Sequence, residues 1–222
     1  MIGAALRTAP YNLVLARGAN EAVDALTTAI AEPLPGVVGA VPEVDRFAAA
    51  WADRHGIRAE AQFRQGIYAL ETLIAPPLPP GQPRAATADD TSLLVKWWGA
   101  FGAEALGALE QDDEQNARSI EHKLSAPGNG IAVWENDGEI VSVVGYGSTT
   151  PSGVRIGPVY TPPEHRARSY ASALTAHVSA EQLAAGRSFC FLYTDLANPT
   201  SNKIYLALGY ERVCDAIQYG FV

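Results

Sequence analysis

The stretch from residue 159 to residue 210 constrains this chain more than any other. An apolar strand runs into a short loop that carries Arg166 and Arg168, and a helix follows directly. A second apolar strand over 188–194 and a second short helix come next. Backbone amides and arginines at a helix N-terminus form a binding site for anions. A tyrosine on the later helix, Tyr205, is a candidate proton donor.

The charge of the chain is acidic overall and basic only locally. With 16 lysines and arginines against 24 aspartates and glutamates, the formal net charge of the 222 residues is −8. Nucleic-acid binding usually needs a basic face, so a nucleic-acid partner is not expected. The positive charges of Arg155, Arg166 and Arg168 lie within fourteen residues of one another.

The cysteine content and the hydropathy of the chain are those of a soluble protein without structural disulfides. Cys190 and Cys214 do not make a disulfide framework, and Cys190 is expected to be a buried, inert thiol. No apolar run reaches the length of a membrane span, and no signal-peptide pattern is present. We therefore expect a soluble cytoplasmic protein without a membrane partner.

A proline-rich segment, residues 76–83, predicts the domain organisation. Its five prolines favour an extended, semi-rigid spacer. It divides the chain into residues 1–75 and residues 84–222.

The second part predicts a mixed α/β (α+β) sheet covered by helices. Asp89 or Asp90 can cap a helix whose apolar face recurs at three- and four-residue spacing. That face comprises Leu93, Leu94, Trp97, Trp98, Phe101, Ala105 and Leu109. The further expected elements are a helix at 114–124, a hairpin of strands 131–135 and 139–147, a strand at 154–160, a helix at 169–185, a strand at 189–194, a helix at 200–208 and a final strand or two within 211–221.

The first part repeats part of this order. Its expected elements match the back half of the second part in order. They are strands at 2–7 and 11–16, a helix at 20–31, a strand at 37–40, a helix at 44–55 and a strand at 65–73. This order predicts a tandem duplication in which the front half of the first repeat is missing.

Two motifs carry a resemblance to a known family. The loop Arg166-Ala167-Arg168-Ser169-Tyr170-Ala171 is similar to the pattern Arg/Gln-x-x-Gly-x-Gly/Ala. The second motif, Asn-x-x-Ala/Ser-x-x-x-Tyr-x-x-x-Gly-Phe/Tyr, is matched by Asn198, Ser201, Tyr205, Gly209 and Tyr210. Residues 84–222 therefore resemble a GNAT-superfamily N-acyltransferase, and residues 1–75 resemble a degenerate half of the same fold.

The resemblance implies a site for acyl-CoA. The strand before the loop would separate from the next strand, and Val159 and Tyr160 would offer backbone hydrogen bonds to pantetheine. The loop would hold the pyrophosphate, and Asn198 would position the pantetheine arm or cap its helix. The loop residues with this implied role are Arg166, Ala167, Arg168, Ser169, Tyr170 and Ala171.

Ser169 departs from the family pattern. Glycine at this position permits unusual backbone angles and a close approach of phosphate. Serine adds a Cβ atom together with a hydroxyl that can donate to phosphate or cap the helix.

Catalysis would use Tyr205 as the general acid that protonates the departing thiolate. The alternative is that Tyr205 packs in the core with Ile204 and Leu208. Three carboxylates, Asp195, Glu104 and Glu164, are candidates for the general base.

The resulting prediction is transfer of an acyl group, namely acetyl, from acetyl-CoA or another acyl-CoA to a small primary amine. No metal-ligand cluster is present in the sequence, so no metal is expected. The alternatives are a phosphopantetheine donor on an acyl carrier protein, an aminoacyl-tRNA donor, and a catalytically silent protein that binds a ligand or partner. Residues 2–16 can pair across a homodimer, since an unpaired edge strand tends to be covered, or pack on the second part.

Overall fold

The computed structural model describes residues 3–106 and 112–222, apart from the side chain of Leu106. The predictions that involve Ile2 and Leu109 lie outside these ranges. The chain forms two compact units. The first comprises Met1–Ile67, Thr194–Pro199 and Arg212–Val222, and the second comprises Tyr68–Tyr193 and Thr200–Glu211.

The described residues form ten strands and six α-helices. In chain order these are β1 (Ala5–Leu6), β2 (Leu13–Leu15), α1 (Asn20–Ala29), β3 (Gly36–Ala40), α2 (Glu43–His55), β4 (Ala59–Leu70), β5 (Gln82–Ala85), α3 (Thr91–Leu106), α4 (Asp113–Ser125), β6 (Gly130–Asn136), β7 (Glu139–Gly147), β8 (Gly153–Tyr160), α5 (Tyr170–Ala184), β9 (Phe189–Asp195), α6 (Pro199–Ala207) and β10 (Glu211–Phe221). The expected mixed α/β fold is confirmed, and the final segment is one strand.

In the first unit the strand order is β1-β2-β3-β10-β4. The β2–β3 pair is parallel, and β10 pairs with β3 antiparallel. Helices α1 and α2 bury their apolar faces against these strands. The largest buried side chains of this core, Phe47 and Trp51, are one helical turn apart on α2 and stack at a centroid distance of 5.7 Å.

In the second unit the strand order is β9-β8-β7-β6-β5, and only the β8–β9 pair is parallel. Both faces of this sheet are covered, as β6 shows. Ile131 and Val133 pack into the core that contains α3 and α4, whereas Ala132 and Trp134 pack into the core that contains α5. Because successive strand residues point to opposite faces, a strand buried on both sides is an unbroken apolar run.

Three details differ from the sequence-based expectations. Thr87 is the N-cap before α3, and Asp90 completes a capping box by accepting from the Thr87 N–H at 2.8 Å. Gln82 and Pro83, predicted as linker, belong to β5. The first compact unit includes the C-terminal strand from Arg212 onward, which the sequence assigned to the second part.

The tandem duplication stays a prediction. No helix in the described ranges is long and apolar enough to cross a membrane.

Leu174 tests the packing of α5 on its sheet. Its side chain is fully buried, so Leu174→Ala should lower the free energy of unfolding by about 2–5 kcal/mol. Leu206 on α6 is 54% exposed, and Leu206→Ala should change stability by less than about 1 kcal/mol. Urea unfolding followed by tryptophan fluorescence measures both variants, and equal losses would contradict the assigned core.

Candidate functional site

Strands β8 and β9 pair over only part of their length. The register joins Gly153 to Phe189, Val154 to Cys190 and Arg155 to Phe191, and it ends there. Beyond Arg155, β8 therefore runs on to Tyr160 without β9 as a ladder partner. On its other edge β8 pairs with β7, but an irregularity between Val144 and Tyr146 interrupts that register as well. Such bulges bend a strand and re-aim its side chains.

A cavity of about 340 Å³ opens where β8 loses its partner. All its lining residues belong to the second unit. They are Trp98, Phe101 and Gly102 from α3, Asn116, Ser119 and Lys123 from α4, Gly147 and Ser148 at the end of β7, Arg155, Ile156, Gly157, Pro158 and Val159 from β8, Tyr193 from β9, and Tyr205 from α6.

Tyr205 occupies the wall of this cavity while packing against the core. Its side chain is only 8% exposed and contacts Tyr210 edge-on at a ring-centroid distance of 5.8 Å. Burial raises the pKa of Tyr205 to about 12, so the phenol keeps its proton at neutral pH. Tyr205 thus packs in the core and also lines the cavity, and its role as the acid stays a prediction.

Two cationic side chains line the same cavity. The guanidinium of Arg155 lies 4.9 Å from the ring centroid of Tyr193. The Nζ atom of Lys123 donates to the Tyr146 carbonyl at 3.0 Å. Burial lowers the pKa of Arg155, and burial followed by the positive charge of Arg155 lowers the pKa of Lys123.

The arginine loop leads into α5 through two left-handed residues. Ala167 has φ 60° and Ser169 has φ 65°. Ser169 is the N-cap of α5, yet its side chain makes no capping hydrogen bond. Arg166, Ala167, Arg168 and Ser169 are exposed, whereas Tyr170 is buried. The first N–H groups of a helix lack intrahelical acceptors, so this exposed end can bind an anion.

Glu104 lies between Arg166 and Tyr160. It accepts from Arg166 Nη2 at 2.5 Å and from the Tyr160 hydroxyl at 3.0 Å. Burial, followed by the hydrogen bond with Glu104, raises the pKa of Tyr160. The Tyr160 carbonyl also accepts from the buried Ser142 hydroxyl at 3.2 Å.

Asp195 and Asn198 belong to the first unit. Asp195 Oδ1 accepts from the Ala197 N–H at 2.8 Å, and the Asn198 N–H donates to the Asp195 carbonyl at 3.0 Å. Glu164 is exposed on the 3-10 turn before the arginine loop. Among the residues that the structure describes, no group of three or more His, Cys, Asp and Glu side chains is arranged to hold a metal ion.

The structure brings some predicted residues together and adds others. Val159 and Tyr205 share the cavity, while Tyr160, Glu104 and Arg166 form a second cluster. Lys123 and Tyr193 were missed as cavity residues. One signal was available for Lys123, because Asn116, Ser119 and Lys123 recur at spacings of three and four on the polar helix α4.

Known proteins resemble the chain in sequence pattern and in fold. Residues 93–210, just over half of the chain, match the model of the Acetyltransferase (GNAT) family. No curated protein matches the sequence. A GCN5-related N-acetyltransferase from Kribbella flavida is 18% identical with a TM-score of 0.65, and the alignment covers 99% of this chain and 87% of that one.

Two further structures extend this likeness. An acetyltransferase from the GNAT family of Colwellia psychrerythraea is 11% identical, with a TM-score of 0.66 and coverage of 100% of this chain and 82% of that one. A ribosomal-protein-alanine N-acetyltransferase from Brucella melitensis is 18% identical, with a TM-score of 0.52 and coverage of 62% of this chain and 97% of that one. At these identities the likeness establishes the fold.

The left-handed conformation of Ser169 can be tested by substitution. Ser169→Gly should be neutral or stabilising by less than about 1 kcal/mol, because relief of the left-handed backbone offsets the flexibility that glycine adds to the unfolded chain. Ser169→Val should destabilise by about 1–2 kcal/mol. Thermal unfolding measures both variants. Ser152→Val, at an exposed position, is the control, and an equal effect of valine at both sites would contradict the assigned conformation.

Proposed function

The chain belongs to the Acetyltransferase (GNAT) family, and from that premise we propose that it moves an acetyl group from acetyl-CoA to a small primary amine. As a member of this family it is an acyltransferase. The observation that carries the proposal is the cavity at the separation of β8 from β9, with Tyr205 in its wall.

The separated strand suits a pantetheine arm. Ile156, Gly157 and Val159 line the cavity on the part of β8 that has no β9 partner. Backbone groups on an unpaired strand edge need hydrogen-bond partners, and the amides of pantetheine can supply them. The Tyr160 carbonyl already accepts from Ser142, so Val159 is the better candidate for this role.

The loop before α5 suits the pyrophosphate. It contains two left-handed residues, Ala167 and Ser169, and left-handed residues are a feature of the backbone concavities that bind anions. Arg166 reaches Glu104 across an exposed pair in which both side chains are nearly half accessible. Because an exposed pair is worth little, a phosphate can draw Arg166 away from Glu104 at low cost.

Tyr205 is assigned the acid role. Attack of the amine forms the C–N bond, and collapse breaks the C–S bond, with the electron pair leaving on sulfur. The phenol donates its proton toward that sulfur, the nitrogen gives up its extra proton to solvent, and Tyr205 is then reprotonated.

The pKa of Tyr205 specifies how far this transfer goes. Complete transfer from a phenol of pKa about 12 to a thiolate of ordinary pKa about 8.5 is uphill by roughly 5 kcal/mol. Tyr205 therefore stabilises the developing thiolate first through a hydrogen bond, and the proton that the amine releases to solvent balances the proton that the sulfur gains through Tyr205.

The same geometry bears on the choice of base and on the size of the acceptor. Glu104 is held by Arg166 and Tyr160, which favours a positioning role for it over the role of base. Asp195 stays a candidate base. A cavity of about 340 Å³ lies at the small end of the usual range for ligand sites, which favours a small acceptor.

Opposite substitutions at the Arg166–Glu104 pair test the donor site. Arg166→Gln should weaken acetyl-CoA binding about fivefold because it removes one exposed phosphate contact. Glu104→Gln should leave binding equal or tighter, since it releases Arg166. Calorimetry measures both. Absence of acetyl-CoA binding at millimolar concentration would overturn the donor assignment, and loss of turnover in Glu104→Gln at saturating substrates would identify Glu104 as the base.

Tyr205→Phe tests the acid. It should lower kcat about a hundredfold, because it removes the proton donor, while leaving the Kd for acetyl-CoA unchanged. Release of the CoA thiol measures turnover. Tyr210→Phe is the matched control, since it removes another buried hydroxyl, which pairs with Ser179 at 2.8 Å, outside the cavity lining. Unchanged turnover in Tyr205→Phe would remove the proposed acid.

A further inference from the structure

The charge of the cavity wall is one-sided. Lys123 and Arg155 both line it, and none of its described lining residues is an aspartate or glutamate. Neutral polar side chains, among them Asn116, Ser119 and Ser148, make up the rest of its polar lining. In a chain of formal charge −8, a cavity lined by two cations and no acid indicates selection by charge.

Arg155 lines the cavity and is also exposed at the protein surface. Partial burial of its side chain lowers the pKa of Arg155. Its guanidinium carbon lies 4.9 Å from the centroid of the Tyr193 ring. Among the residues that the structure describes, no hydrogen bond or ion pair occupies the N–H groups of Arg155. These N–H groups form a rigid fork that matches the two oxygens of a carboxylate.

Lys123 supplies a second donor to the same cavity. One of its three N–H groups goes to the Tyr146 carbonyl, which fixes the position of the ammonium. Its charge is near enough to that of Arg155 for the two to repel each other. An anionic group between them would relieve this repulsion.

We propose that the acceptor is a primary amine that also bears a carboxylate, held by Arg155 and Lys123 on the wall of the cavity. This inference rests on the proposed acetyl transfer and names the substrate class of the same site. The carboxylate anchors the molecule, and its amino group is presented to the thioester near the unpaired part of β8.

The same charges act on the nucleophile. Two nearby cations disfavour an ammonium ion relative to the neutral amine, so they lower the pKa of a bound amino group and increase the fraction that can attack. They also repel acceptors with several positive charges, such as polyamines and lysine-rich peptides. Charge thus selects a carboxylated amine and prepares it for reaction.

Paired acceptors that differ only in the carboxylate provide the test. Glycine against methylamine, β-alanine against ethylamine, and phenylalanine against phenethylamine are compared at saturating acetyl-CoA by release of the CoA thiol. The carboxylated member of at least one pair should have a kcat/KM at least about tenfold higher than its partner, because its hydrogen bonds are to charged groups. Arg155→Leu and Lys123→Met should each abolish that preference by raising KM, and Arg155→Lys should restore part of it.

Controls separate this inference from the proposed function. Arg118→Gln removes an exposed cation on the same helix as Lys123, where it pairs with Glu114, and should keep the preference intact. Absence of acetyl-CoA binding would overturn the proposed function itself. If acetyl-CoA binds but both members of every pair react equally well, only the carboxylate assignment is overturned. The same holds if acetyl-CoA binds and no carboxylated amine is acetylated. A raised Kd for acetyl-CoA in Arg155→Leu would place Arg155 in the donor site and also overturn it.

Discussion

The end of pairing between β8 and β9 at the Arg155–Phe191 register is the constraint on which the site depends. Three residue pairs hold the strands together, and beyond them β8 continues without that partner. The cavity, the unpaired edge proposed for pantetheine and the placement of Arg155 all follow from this single termination. The register with β7 is also interrupted along this segment, and such irregularities bend strands.

The charged groups near the two ends of β8 differ. Beyond its C-terminal end, Arg166 pairs with Glu104 at the surface, and an exposed pair of this kind is weak enough to yield to a phosphate. At the cavity, Arg155 and the half-buried Lys123 are close enough to repel each other, and none of the described lining residues is a carboxylate. The first arrangement suits a donor with a highly charged tail, and the second suits an acceptor with one carboxylate.

Much of the fold was predictable from local patterns, whereas the site was predictable only in part. Helix α3 followed from apolar spacing, but that spacing could not show that Trp98 and Phe101 also face a cavity. The helix is capped by Thr87 and not by Asp90, because the Asp90 carboxylate accepts from Arg84 at 2.8 Å and from the Thr87 N–H. Ser169 was recognised as a departure from glycine, and its φ of 65° explains why glycine is usual there.

The sequence by itself determined most of the order of elements, with β5 the exception, together with the arginine loop at the start of α5 and the tyrosine helix α6, because these depend on periodicity and on neighbours close in the chain. The tertiary structure alone decided that Lys123 from α4, Arg155 from β8 and Tyr205 from α6 share one cavity. It also decided that Glu104 engages Arg166, a residue 62 positions away. Such contacts depend on where a strand ends its pairing with a neighbour and on how helices pack over the sheet. Local sequence patterns do not contain this information.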